Sequence, residues 1–190
     1  MQELKDTIEA LIKVLKYCNK KVDENFPFRI AEIVKSHSVG AATSAVASGW
    51  IPGAGAGIAT TISAGFIWTM YGKINSECSI PFSENVVKSL ATGLATNLAS
   101  YVVGGLVMST ALSFIPGLGS IGASAVIGAT CYAMTLASGI VYLKVLTSLM
   151  SSGANLSTMS EEELKQRANN ITNSMNIKET IDKAKQEYKK

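Results

Sequence analysis

The sequence predicts an all-α protein made of two apolar helical hairpins with IPGxG turns, flanked by amphipathic helices at both ends. Residues 89–143 contain no charged side chain and are interrupted only by the turn sequence IPGLG at 115–119. Residues 39–72 are also uncharged and contain the similar sequence IPGAG at 51–55. No stretch has the alternating pattern of a β-strand. We therefore expect one helical domain over residues 1–190, with amphipathic helices in 1–38, the apolar double hairpin in 39–150 and polar helices in 151–190.

The N-terminal region predicts two amphipathic helices. The first covers residues 3–21 and would lie against the rest of the fold or against a membrane surface. Its apolar residues recur at helical spacing: Leu4, Ile8, Leu11, Ile12 and Leu15. Proline suits the first turn of a helix, so Pro27 predicts the start of the second. His37 stands among serines, and we expect a solvated residue on the helix surface rather than a catalytic or metal-binding group.

The next helix is expected to follow the IPGAG turn and to end near Lys73, with a polar connection over residues 75–82. Ser83 is a predicted N-cap, because its hydroxyl can accept a hydrogen bond from an amide of the first helical turn. Two long apolar helices on either side of IPGLG come next, and residues 151–153 end the second of them.

The C-terminal region predicts two polar helices. Ser160 and Glu163 match a capping box, in which each side chain bonds the other residue's backbone amide, and the helix they open should reach about residue 174. Asn176 and Glu179 predict the start of a last helix.

The two turn sequences suggest an internal repeat. WIPGAG at 50–55 and FIPGLG at 114–119 superpose at a fixed offset, which also pairs Trp68 with Tyr132. Proline lacks a donor N–H and glycine tolerates positive φ, so each sequence predicts a helix stop, a tight turn and a restart. The residues expected to form the turns are Ile51, Pro52, Gly53, Gly55, Ile115, Pro116, Gly117 and Gly119.

Small residues in the apolar helices predict close helix packing. Glycine inside a water-exposed helix costs about 1 kcal/mol relative to alanine, so its frequency here indicates helix–helix or lipid contact. Membrane helices pack in this way, and so does a tight soluble bundle. The predicted packing residues are Gly104, Gly105, Gly122, Ala125 and Gly128. Gly93, on the same predicted helix as Gly104 and Gly105, is expected to pack in the same way. The aromatic residues expected at a membrane interface or in the core are Trp50, Trp68, Phe114 and Tyr132.

Charge placement favours a membrane. An even number of crossings would put both termini on one side, together with Lys73, Lys88 and Lys144, and the positive-inside rule would make that side cytoplasmic. Both turns would lie at the opposite, uncharged end, which avoids the cost of about 3 kcal/mol per charge at mid-membrane. The uncharged arms of the first hairpin are shorter than the roughly 20 residues needed to span, so that hairpin would be re-entrant or buried in protein.

Composition excludes several function classes. Hydrophobic residues make up 47% and charged residues 16%, and the net charge of +3 comes without a basic block, so we expect no nucleic-acid partner. The three cysteines form no paired spacing, which favours reduced thiols. Glu77, Glu84, His37 and Cys131 lie on different predicted elements, so we expect neither an enzyme, nor a metal, nor a cofactor.

The order of these motifs resembles a known domain. IPGAG, a helix ending Met70-Tyr71-Gly72, a polar link, a small-residue helix, FIPGLGSIGA and TCYAMTLASGIVYL resemble the bacterial domain of unknown function in YcjF-like membrane proteins, which also occurs C-terminal to Era-like GTPase domains. The similarity covers about residues 47–146. It implies a membrane-associated helical domain working beside a GTPase, at the bacterial inner membrane or in the cytoplasm with membrane association.

Two departures limit what the resemblance implies. The family usually has an acidic residue soon after the first IPG turn, where this chain has AGAG. The chain also has no GxxxxGK[ST] phosphate loop, so a nucleotide site would belong to a GTPase partner in trans.

Two functions remain open from the sequence. One is a membrane-associated or membrane-inserting helical protein that contacts a lipid bilayer and forms homo-oligomers, either as an accessory of a GTPase system or as a pore-forming effector. The other is a soluble helical module that self-assembles or docks on a GTPase.

Overall fold

The structure of the chain is a computed structural model that describes residues 26–48, 55–80, 82–113, 119–153, 158–174, 176 and 179. For residues 26–27, 55–59, 100–113 and 119–126 it describes the helical backbone without the side chains. Within these residues the chain forms five helices and no strand, which confirms the predicted all-α class. The helices are α1 (Phe26–Ala47), α2 (Gly55–Glu77), α3 (Glu84–Ser113), α4 (Gly119–Ser151) and α5 (Glu161–Ser174).

Several helix boundaries follow the predicted capping chemistry. Helix α1 begins one residue before Pro27. The Ser83 hydroxyl accepts a hydrogen bond from the backbone N–H of Val86 at 3.3 Å, so it caps α3. Helix α4 ends at Ser151, and Gly153 has a φ of 67°, the left-handed conformation with which glycine commonly ends a helix.

Helix α2 is longer than predicted. We expected it to end near Lys73, with a polar connection from residue 75, but it continues to Glu77. Asn75 is buried, and its side-chain oxygen accepts a hydrogen bond from the Tyr142 hydroxyl of α4. The prediction was wrong because a polar residue was assigned to a solvated connection when its partner lies far away in the sequence.

Of the two predicted C-terminal caps, the capping box of Ser160 and Glu163 forms only in part. The Ser160 hydroxyl accepts a hydrogen bond from the backbone N–H of Glu163 at 3.2 Å, which begins α5. The Glu163 carboxylate does not complete the predicted reciprocal bond and pairs instead with Arg167 at 3.1 Å. Farther along, the N–H of Glu179 donates to the side-chain oxygen of Asn176 at 3.2 Å, as expected for a helix start.

Side-chain contacts give the directions of α1, α2 and α4. Arg29 of α1 forms an ion pair with Glu77 of α2 at 3.0 Å, whereas Gly40 farther along α1 lies against Phe66. The partner number falls as the number on α1 rises, so α1 and α2 are antiparallel. By contrast, the Tyr71–Ser138 and Asn75–Tyr142 pairs have the same separation of 67 residues, so α2 and α4 are parallel.

Helix α5 lies against α3 and α4. Asn97 of α3 donates a hydrogen bond to Asn169 at 3.3 Å, and Ser89, earlier on α3, lies near Glu161. The partner numbers rise together, so α3 and α5 run in the same direction. The buried residues of α5 lie on one face, at Leu164, Ala168 and Thr172.

Helix α4 is the central element of the described fold. It contacts each of the other four helices, and every residue from 127 to 143 is buried. A helix with no charged residue on any side over such a length requires a complete cover of protein or lipid. Here α1, α2, α3 and α5 provide that cover.

Two of the described glycines have a neighbouring side chain packed directly against them. A Cβ added at Gly139 of α4 would lie 2.8 Å from Val34 Cγ1 on α1, and one added at Gly40 would lie 2.6 Å from Phe66 Cε1. Gly93 behaves differently from our expectation, because a Cβ there would meet no atom within 4 Å. Gly93 is exposed on α3 and does not contribute to helix packing.

Candidate functional site

The most unusual feature of the described core is a line of polar side chains between two apolar helices. We call it the polar seam. Its members are Ser63, Tyr71 and Asn75 on α2 and Cys131, Thr135, Ser138 and Tyr142 on α4, all of them buried. Polar groups in a core need partners, so their arrangement determines how α2 and α4 fit together.

Two tyrosines form the centre of the polar seam. The rings of Tyr71 and Tyr142 stack with centroids 3.7 Å apart and an angle of 11° between their planes. The Tyr71 hydroxyl donates to the backbone oxygen of Ser138 at 3.0 Å and also contacts the Ser138 hydroxyl. The Tyr142 hydroxyl donates to the side-chain oxygen of Asn75. Each helix thus contributes one tyrosine and one small polar partner.

The rest of the polar seam is less completely paired. The Ser63 hydroxyl lies near the Cys131 thiol but has no hydrogen-bond partner. The side-chain nitrogen of Asn75 and the hydroxyl of Thr135 have no partner, although both atoms are buried. Leaving a buried polar group unpaired costs about 1–3 kcal/mol. The seam therefore contains groups that would gain free energy from contact with water.

The predicted turn residues lie mostly outside the described part of the chain. The structure does not describe residues 51–54 and 115–118, nor Trp50 and Phe114. Gly55 and Gly119 are the first residues of α2 and α4. The IPGxG turn geometry therefore stays a prediction.

The predicted packing residues all belong to the two long helices. Gly104 and Gly105 lie within α3, and Gly122 and Ala125 within α4, at positions where only the backbone is described. Gly128 is buried in α4.

The two predicted interface aromatics that are described occupy different environments. Trp68 on α2 is partly exposed, and the Nζ of Lys88 on α3 lies 5.0 Å from its ring centroid, within cation–π range. Tyr132 on α4 is only 6% exposed. Trp68 thus lies at the bundle surface beside the Lys88 ammonium group, whereas Tyr132 belongs to the core.

His37 is buried, so the prediction of a solvated histidine was wrong. It is 8% exposed, and its Nδ1 lies 2.7 Å from the backbone oxygen of Ile33, one helical turn earlier. Burial lowers its pKa below the usual 6.5 of histidine; the bond to Ile33 opposes this effect, and the positive charge of Lys73 on α2 adds to it. The ring is therefore held neutral near neutral pH.

The acidic residues and cysteines do not converge on a reaction centre. Among the described residues, no group of three or more histidine, cysteine or acidic side chains is arranged to hold a metal ion. Glu77 is paired with Arg29, and Glu161 with Lys165 at 2.8 Å. An open groove of about 480 Å³ between α3 and α5 is lined by Asn85, Lys88, Ser89, Thr92, Gly93 and Lys165.

Sequence reasoning missed the polar seam as a unit. It noted Tyr71 only within a family motif and assigned Asn75 to a connection. A usable pattern was present in α4, where residues 131, 135, 138 and 142 recur at the spacing of one helix face. That pattern shows which residues share a face, but not that Tyr71 and Asn75 lie opposite them.

One segment of the described residues, Ile127–Ser151, is long and apolar enough to cross a membrane, with a mean hydropathy of 1.5. This statement concerns length and composition only. In the bundle, 78% of its most apolar window is buried, and the core helix of a soluble protein would pass the same test.

The chain was also compared with known proteins. No protein-family model, no curated protein and no solved structure matches it.

Proposed function

We propose that this protein inserts into a lipid bilayer, with α4 as the membrane-crossing helix and the surrounding helices as its cover before insertion. The observation that carries the proposal is the run of buried, uncharged residues from 127 to 143, enclosed by four other helices. About 20 apolar residues suffice to cross a bilayer, and Ile127–Ser151 provides 25 with a single lysine.

The exchange of protein cover for lipid is physically reasonable. Apolar surface removed from water is stabilised by about 25 cal/mol per Å² whether protein or lipid covers it. Most of the cover of α4 comes from α1 and α3, and three of the five buried apolar residues of the described part of α1 are alanines, the other two being Ile30 and Val34. Small side chains bury little area each, so separating α1 from α4 costs less than separating helices joined by leucines.

The distribution of charge supports a directional insertion. Because α1 and α2 are antiparallel and α2 and α4 are parallel, the N-terminal part of α1 and the C-terminal parts of α2 and α4 share one end of the bundle. That end holds Arg29, Lys73, Glu77 and Lys144. The opposite helix ends, from which the two IPGxG turns would project as hairpin tips, contain no charged residue in the sequence. An uncharged end can enter the hydrocarbon region without neutralising any group.

Vesicle flotation tests the proposal. Purified native protein is mixed with phosphatidylcholine–phosphatidylglycerol vesicles, layered under a density gradient and centrifuged, and the floated fraction is washed with alkaline carbonate. We expect protein to float and to resist the wash, because an inserted helix is not removed by breaking ionic contacts. Protein that remains in the dense fraction, or that the wash removes completely, would contradict insertion.

A soluble interaction module is the second candidate, and a separate observation favours it. Phe28, Val39 and Val46 are 71%, 43% and 41% exposed. They are separated by about three and two whole turns of α1, so they form one outward stripe. Such a stripe suits self-association or docking on a GTPase partner.

Light scattering coupled to size exclusion distinguishes this candidate. If the stripe mediates self-association, Val39→Lys converts an oligomer into a monomer, whereas Thr96→Lys, an exposed change on α3, does not. A monodisperse monomer for the native chain would remove the self-association form of this candidate.

A further inference from the structure

We propose that the polar seam lines a water-filled path through the bilayer once α2 and α4 are inserted, and that small ions and polar solutes pass through it without selection by charge. This inference rests on the insertion of α4 proposed above and goes beyond it, because it adds α2 to the inserted part and because an inserted helix need not conduct. The argument has three parts: the position of the seam, its incomplete pairing and its neutrality.

The polar groups of α4 lie along one face and extend through much of the helix. Cys131, Ser138 and Tyr142 each contact α2, through Ser63, Tyr71 and Asn75 respectively. Thr135 lies on the same face by helical spacing. At about 1.5 Å per residue this row is about 17 Å long, more than half of a hydrocarbon core of about 30 Å. Polar residues in membrane helices face the bundle interior or a water-filled cavity, so this face would not contact lipid.

The incomplete pairing distinguishes the seam from a structural clasp. A polar network that only fixes two helices together has each buried group satisfied. Here the hydroxyl of Ser63, the nitrogen of Asn75 and the hydroxyl of Thr135 have no partner. All three groups could bind water if α2 and α4 separated slightly. Water could also take the place of the partners that the Tyr71 and Tyr142 hydroxyls now have.

The seam has no charge with which to select ions. Its seven residues are hydroxyl, thiol and amide groups, and no acidic or basic residue occurs in residues 55–72 of α2 or 119–143 of α4. Lys73 follows on α2 but is exposed on the outside of the bundle. Channels select by rings of charge or by closely spaced carbonyls, and the seam has neither in its described residues.

Conductance of the full chain in planar bilayers tests the inference, with substituted cysteines as reporters. In a background in which the native cysteines are replaced by serine, Thr135→Cys places a thiol in the seam, and Ala133→Cys places one on the opposite face of α4. We expect potassium chloride current with little preference for either ion. A charged methanethiosulfonate reagent should remove most of the current of Thr135→Cys and leave that of Ala133→Cys unchanged.

Each outcome bears on the inference in a defined way. Protein that floats with vesicles but carries no current overturns the conducting path and leaves insertion standing. Equal block of both cysteine variants shows that another surface lines the path, and a strong preference for potassium or for chloride contradicts a neutral lining. Protein that does not float defeats both proposals. Asn75→Leu gives an independent check, since it should reduce the current without reducing flotation.

Discussion

At the scale of single residues, the interior of this bundle is specified by a few polar groups among many interchangeable apolar ones. Alanine, valine and isoleucine side chains on neighbouring helices tolerate small shifts along the axis. The bonds from Tyr71 to Ser138 and from Tyr142 to Asn75 do not, because both must form at the same offset. These two pairs therefore fix the register of α2 against α4.

The Asn75–Tyr142 bond should contribute measurably to stability. We expect Asn75→Ala to lower the free energy of unfolding by about 1–3 kcal/mol, because it leaves the Tyr142 hydroxyl buried without an acceptor. Asn85→Ala is the matched control, since Asn85 is exposed on α3 and should change stability by less than about 0.5 kcal/mol. Urea denaturation measures both, and equal effects would show that the buried bond is dispensable.

His37 should make stability depend on pH. Its pKa in the folded protein lies below 6.5 because burial disfavours the charged ring and Lys73 repels it. As pH falls below about 6.5 the unfolded chain binds the proton more readily than the folded one, so stability decreases until the folded pKa is passed. Above that range the contribution is constant.

Thermal melting at about pH 7.5 and about pH 5.5 checks the histidine, since this interval spans its unperturbed pKa. The melting temperature of the native chain should fall between the two values, and His37→Gln should reduce the size of that fall. An unchanged pH dependence in His37→Gln would show that other groups cause it.

At the scale of helices, the packing depends on where the backbones come close and not on how many small residues a helix contains. Gly139 and Gly93 are both glycines within long apolar helices, and the sequence offers no reason to treat them differently. In the fold, Gly139 faces Val34 at contact distance, whereas Gly93 faces open space. Gly139 therefore determines how closely α1 and α4 approach, whereas Gly93 determines no helix–helix distance.

Alanine substitution at the two glycines should have opposite effects. Gly139→Ala places a methyl group 2.8 Å from Val34 Cγ1, and we expect a loss of about 1–3 kcal/mol from overpacking. Gly93→Ala meets no neighbour and should stabilise α3 by up to about 1 kcal/mol through helix propensity. Chemical denaturation of the two variants would contradict this account if both changed stability in the same direction.

At the scale of the whole molecule, the apolar helix α4 is enclosed by four helices that are less apolar. Helix α5 is a convenient place to loosen that cover, because it contacts α4 and α3 and is buried mainly through Leu164 and Ala168. Its cations Lys165 and Arg167 are paired with acids on the same helix. Loss of α5 would expose part of α4 without disturbing the polar seam.

A charge introduced on the buried face of α5 should weaken its packing against α4 and so favour insertion of α4 into the membrane. Leu164 is 1% exposed, so Leu164→Glu buries a carboxylate and removes about 2 kcal/mol of apolar burial. Gln166→Glu adds the same charge at an exposed position of the same helix. If insertion requires uncovering α4, Leu164→Glu floats with vesicles more completely than the native chain and Gln166→Glu does not. Increased aggregation of Leu164→Glu without increased flotation would contradict the proposal.

The sequence alone determined the all-helical class of the described residues, the approximate positions of the five helices between residues 26 and 174 and several of their caps. The helix predicted over residues 3–21 lies outside the described residues. These features depend on local physics: the lack of charge in long segments, the hydroxyl of Ser83 beside the next amides, and the freedom of Gly153 to adopt positive φ. Each requires only residues that are neighbours in the chain.

The tertiary structure decided the end of α2, the burial of His37 and the existence of the polar seam. Asn75 and His37 are polar, and their local surroundings predicted a connection and a solvated surface. Their burial depends on partners brought near by packing, Tyr142 for Asn75 and the helices around α1 for His37. Local patterns show which residues share a helix face, but only the packing of five helices decides which faces meet.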